Sequence, residues 1–181
     1  LVYRAWERFK LGSFWILAAA AILVDIGVFL LGWKALGRVN YIFVWVAVHQ
    51  LGVAWQAQSM GESRKTLLWA FWGIAALIAL VMLGPYPISM VSVQGEEISN
   101  TLPPNLTMLA LGVFQGGILL SLEKPLRKWL SNLKIWTATV LINGMIMTLF
   151  LWHVTVLILV AGLALALGGI GLGIAPGTLA W

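Results

Sequence analysis

Two ionisable side chains, Asp25 and His49, stand inside long apolar stretches of this chain. An aspartate at the centre of a membrane helix costs at least about 2.5 kcal/mol on insertion scales, so such residues are functional candidates by default. A carboxylate that orients an imidazole would make a general base in a buried polar cavity. The same pair could equally be a structural clamp between two helices, and both readings stay open. Trp45, His49 and Gln56 share a helical face, being four and seven residues apart. Further along, Thr139, Asn143 and His153 fall within about 80° of helical arc. Helix–helix hydrogen bonding is the favoured role of Thr139 and Asn143. His153 reads evenly as a core histidine or a site residue. With two histidines and no cysteine, neither a thiolate nucleophile nor a histidine-based catalytic metal centre is expected, and no metal site is assigned. A haem between His49 and His153 would need both imidazoles on one cavity of macrocycle width, and nothing else points to one.

The elements that must position these residues follow from composition. Of 181 residues, 61% are apolar and 9% charged, with a mean hydropathy of +0.97. A soluble domain carries about 25% charged residues. Disorder, nucleic-acid binding and a disulfide scaffold are excluded, which leaves a polytopic, all-α transmembrane bundle. Charges divide the chain into five expected spans: Leu11–Trp33, Val39–Gln56, Thr66–Leu83, Pro103–Leu122 and Ile135–Leu167. Pro103-Pro104 is a good helix opening. The last stretch exceeds one crossing, with Gly144 a weak point and Gly168-Gly169 an expected stop. Nine of the 11 Lys and Arg fall on one set of alternate sides, which puts Leu1 in the cytoplasm and Trp181 outside. Trp6, Trp33, Trp55, Trp69, Trp129 and Trp136 lie near span ends, as an aromatic belt requires.

Two connections have more character. Ser121–Lys134 places Leu122, Leu126, Trp129, Leu130 and Leu133 on one stripe, with Lys124, Arg127 and Lys128 elsewhere, which suits a short helix on the inner leaflet. Pro85–Leu102, with Glu96, Glu97 and several β-formers, reads as a partly extended loop over the outer mouth. Asn105-Leu106-Thr107 matches a glycosylation sequon but sits at a span mouth. Gly112 and Gly116-Gly117 have the spacing of close helix packing. The chain starts at Leu1 and stops at Trp181 after an apolar Gly-rich stretch, so the expectation is an internal, partial membrane domain spanning 1–181.

Three strings carry a resemblance. Asn40–Trp45 with Ala47–Gly52 is similar to a segment of the integral-membrane acyltransferase type 3 family. So are Tyr86–Val91 with Gly95–Asn100 and Pro103-Pro104, and, third, Asn143–Thr148 with Leu151-Trp152-His153. The likeness covers about Leu11 to Pro176 and looks closest to actinobacterial-type members. It implies the C-terminal part of a membrane O-acyltransferase in a bacterial plasma membrane. Such an enzyme transfers an acyl group, commonly acetyl from acyl-CoA, to a hydroxyl of a glycan, lipid or small molecule. No permanently bound cofactor is implied; acyl-CoA is a co-substrate. The family's bundle has about ten spans, of which this chain would supply the later half and the missing N-terminal spans would be its partner. The family's catalytic histidine lies on those first spans and has no counterpart here, so the fragment alone is expected to be inactive. Asp25, Trp45, His49, Gln56, Asn143 and His153 would line or support the cavity. Arg64, Lys65, Lys124, Arg127 and Lys128 could meet CoA phosphates, although positive-inside bias alone accounts for basic loops. The competing reading is half of a transporter or exporter with a polar midplane pathway. The bilayer is a partner in either case, and nucleic acid in neither.

Overall fold

The computed structural model describes residues 2–57, 63–92 and 98–169. The described residues form seven α-helices: α1 (Val2–Phe9), α2 (Gly12–Phe29), α3 (Asn40–Gln56), α4 (Ser63–Leu83), α5 (Leu106–Ser121), α6 (Glu123–Leu130) and α7 (Leu133–Ala166). A 3-10 turn, Lys34–Val39, joins α2 to α3. Among the described residues the only extended pairing is a single bridge between Thr101 and Pro104. The all-helical expectation is met, and α2, α3, α4, α5 and α7 occupy the five expected segments. By length and hydropathy α2, α4 and α7 can cross a membrane alone, and α5 joins them if it is counted with α6 as one broken span. At 17 residues, α3 is about 26 Å long, slightly under a hydrocarbon core of about 30 Å.

The contacts separate two units, Leu1–Glu123 and Lys124–Trp181. In the first, α2 and α3 form a hairpin, and α5 packs against α3 and α4. The core is a seam of small and aliphatic residues: Ala18 and Ala21 from α2, Val44, Ala47, Leu51 and Ala54 from α3, and Leu109 from α5. Trp6 of α1 is also in this core at 3% exposure, which corrects its assignment to the aromatic belt. Helix α1 packs against both α2 and α3, which brings Trp6 into the cluster that holds Leu51 and Ala54.

Helices α4 and α5 run antiparallel at close range. A Cβ on Gly73 would come within 2.5 Å of the Phe114 backbone, and one on Gly117 would strike Ala70 and the Thr66 carbonyl. Gly112 faces Val48, while Gly116 has open space beside it. Of the glycines read as packing positions, Gly112 and Gly117 therefore are, and Gly116 is not.

In the second unit, α6 ends with Arg127 and Lys128 in its last turn, as the short-helix reading required. Leu126 and Leu130 are half-buried while Trp129 is exposed. The helix is shorter than the expected stripe: it closes at Ser131-Asn132, and Leu133 opens α7. The cause is Asn132, whose side chain accepts from the Lys134 N–H at 3.0 Å and caps a new helix. α7 runs through Gly144 without a break over 34 residues. It ends where Gly168-Gly169 was expected to stop it. Both glycines have positive φ (94° and 80°), and their N–H groups bond back to Leu165 and Ala164 in a Schellman arrangement.

Candidate functional site

Asp25 lies one turn from the end of α2 and is 5% exposed, the deepest carboxylate among the described residues. Three donors converge on it. Asn40 Nδ2, at the start of α3, donates to Oδ1 at 2.7 Å. The Tyr86 hydroxyl, just after α4, donates to Oδ2 at 2.8 Å. The Leu106 backbone N–H, at the first turn of α5, donates to the same oxygen at 3.0 Å. That third donor also places the carboxylate at the positive end of the α5 dipole, where an anion is favoured. One side chain thus joins four elements at one level of the unit. The Tyr86 ring is held edge-on against Phe29 with centroids 5.1 Å apart. Burial, and then the charge of Asp25, push the Tyr86 phenol above its ordinary range, so it stays a hydrogen-bond donor.

The loop between α4 and α5 is built to present Leu106. Asn100 is fully buried, and its Nδ2 donates to the Pro87 and Ser89 carbonyls at 2.7 and 2.8 Å. Its Oδ1 accepts from Asn105 Nδ2 at 2.9 Å. Asn105 Oδ1 then accepts from the Thr107 N–H and hydroxyl at 3.0 and 2.6 Å, capping α5. The sequon asparagine is therefore a buried helix cap whose amide is already engaged. Pro103-Pro104 does not open the helix itself. The pair lies just before the cap, and Pro103 packs on Gly37, where a Cβ would come within 3.0 Å of its Cγ. Among its described residues the loop is a bonded coil with one extended bridge, Thr101 to Pro104. Glu96 and Glu97 lie outside the described residues.

The expected pairing of Asp25 with His49 is not formed. Asn40 takes the place of His49, for a geometric reason. The α2–α3 hairpin turns at Leu30–Val39, so the residues facing Asp25 lie at the start of α3, not its middle. His49 is nine residues beyond Asn40, about two and a half turns, and so points to the opposite side of α3. The stripe of Trp45, His49 and Gln56 does share one face, but that face is the exposed one; Val44, Ala47, Gln50 and Ala54 face inward. None of the three is among the residues that line the groove between α2 and α4. The buried polar residue of α3 that lies beside them is Gln50, at 1% exposure.

In the second unit Asn143 and His153 are exposed. Thr139 donates to the Ile135 carbonyl of its own helix at 2.9 Å. His153 Nδ1 contacts the Phe150 carbonyl, again within α7, and its ring leans on Phe150. Among the described residues no three His, Asp or Glu side chains are grouped to hold a metal ion. Lys65 lies in the first turn of α4; the Arg64 side chain lies outside the described residues. Lys124, Arg127 and Lys128 are exposed on α6.

Beneath the Asp25 hub, α2 and α4 diverge. Their Cα atoms stay more than 8 Å apart, and α5 forms the floor between them. The resulting groove of about 850 Å³ is open along one side and apolar along almost its whole wall. Small residues create it: Ala18 on α2, Gly73, Ala76 and Ala79 on α4, and Ala110 on α5. Phe14, Trp15 and Trp69 meet across its other end, with ring centroids 5.1–5.7 Å apart. No protein-family model, curated protein or solved structure matches the chain.

Proposed function

We propose that the chain is the later membrane portion of an O-acyltransferase that moves an acyl group, most simply acetyl, from acyl-CoA to a hydroxyl acceptor. The observation that carries the reading is the Asp25 hub. Asn40 opens the first string of the acyltransferase resemblance, and Tyr86 opens the second. Both donate to one carboxylate, and Asn100 and Pro103-Pro104 of the second string brace the Leu106 N–H that binds the same carboxylate. Residues from two of the three strings thus knot the helix ends together. Such a knot fixes the relative heights of α2, α3 and α5, which a site assembled from several helices needs.

In this reading the chain holds the scaffold, and the base is the histidine of the family's first spans. The imidazole takes the proton of the acceptor hydroxyl, and the oxygen attacks the thioester carbonyl. The carbon–sulfur bond breaks, and the coenzyme leaves as its thiol once it has gained a proton. Lys65, in the first turn of α4, lies on the basic side of the unit, where CoA phosphates would arrive. Five crossings, with Leu1 cytoplasmic and Trp181 outside, complete the proposal.

The test is complementation. Membranes containing this chain together with the N-terminal half of an acyltransferase type 3 member should transfer radiolabelled acetyl from acetyl-CoA to envelope hydroxyls. Either half alone should not, and Asp25→Ala should remove most of the restored transfer. Absence of acetyl-CoA-dependent labelling with both halves present and folded would overturn the reading. Export of an unmodified solute by the pair would favour the transporter.

A further inference from the structure

We infer that the groove between α2 and α4 is a binding site for one membrane lipid, with an acyl chain lying along α5 and an anionic phosphate headgroup at Lys65. This inference does not depend on the acyltransferase reading.

The geometry selects the occupant. The wall is apolar from Trp69 to Leu80, a rise of about 16 Å along α4, close to half of a hydrocarbon core of about 30 Å. That is the depth of one leaflet. A volume of about 850 Å³ lies in the range of small-molecule sites. The groove is open to the side, which is how a lipid would enter from the bilayer. The hydrophobic effect gives no preference between a groove wall and other lipid tails, since both are apolar. Retention must come from dispersion contacts along the recess and from the headgroup. Lys65 is the single charged residue lining the groove, and it stands at one end, beyond the Phe14–Trp15–Trp69 cluster. An ammonium at that position suits a phosphate, and indoles beside it suit the headgroup boundary. On the proposed orientation this is the cytoplasmic leaflet.

The experiment uses the full chain in nanodiscs of phosphatidylcholine doped with phosphatidylglycerol that carries a mid-chain diazirine. After illumination, labelled peptides should map to Leu68–Leu80 and Leu106–Val113. Ala76→Phe and Ala79→Phe fill the groove from exposed positions of α4 and disturb no core contact. Each should lower labelling there about tenfold. Ile78→Phe, on the exposed side of α4 outside the groove, should not. Replacing the probe by a diazirine phosphatidylcholine should lower labelling roughly fivefold, the preference expected from one lysine at a membrane surface. Lys65→Gln should erase that difference while leaving labelling by the choline probe intact. Unchanged labelling in both groove-filling variants, with circular dichroism showing native helix content, would overturn the inference. So would equal labelling of the outward faces of α2 and α4, or a headgroup preference that survives Lys65→Gln.

Discussion

At the scale of single residues, Asp25 controls three donors at once. Asp25→Ala leaves Asn40 Nδ2, the Tyr86 hydroxyl and the Leu106 N–H without their acceptor, and each buried orphan costs about 1–3 kcal/mol. Asp25→Asn keeps an acceptor for some of them and should cost less, as measured by unfolding in mixed micelles. In double-mutant cycles, Asp25→Asn and Tyr86→Phe should couple by about 0.5–3 kcal/mol, whereas Asp25→Asn and His49→Ala should add within about 0.5 kcal/mol. A second consequence concerns pH. The folded-state pKa of Tyr86 is raised, so its contribution is complete below the unfolded value of about 10 and is lost as pH climbs above it. The absorbance change of phenol ionisation near pH 10 should accordingly be the same in the folded wild type and in Tyr86→Phe. Asp25 was visible in the sequence because a charge inside an apolar run is conspicuous. Its partners were not. Midpoints of two spans suggest His49, but a hairpin is registered from its turn, and counting outward from the turn reaches Asn40. Tyr86 and Leu106 come from a loop whose path no periodicity encodes.

At the scale of elements, glycine decides how closely α4 and α5 approach. Gly117→Ala should push the helices apart, because the new methyl meets Ala70 and the Thr66 carbonyl with no flexible side chain to yield. Gly116→Ala meets nothing and gains up to about 1 kcal/mol of helix propensity. Opposite signs for adjacent residues of one helix, read from the same micelle unfolding assay, would identify the buried face of α5. Two adjacent glycines look alike in sequence; only the partner helix distinguishes them. The caps at Asn105 and Asn132 were similarly hidden, one behind a sequon and the other inside a basic amphipathic stripe. The apolar runs were plain, since a helix able to lie in hydrocarbon leaves little choice of residue.

At the scale of the whole molecule, the basic residues make a directional prediction. With nine of 11 Lys and Arg on one side of the expected spans, a cysteine introduced at Ser131 should react with a membrane-permeant maleimide and resist an impermeant one added outside the cell. One introduced at Ser89 should react with both. The chain has no native cysteine, so each signal comes from a single site.

The length of α7 carries a further consequence. Its 34 residues rise about 51 Å, against a hydrocarbon core of about 30 Å. Lys134 is the last charge before its end at Ala166, so almost the entire helix prefers hydrocarbon. Fitting it by tilt alone would require about 54°, beyond the 0–40° usual for membrane helices. On the proposed crossing the bilayer would share the adjustment, thickening around α7 or receiving its apolar end at the interface. On the proposed five-crossing reading, a helix so mismatched is most comfortable in the thickest membrane within reach, which would tie residence to bilayer thickness.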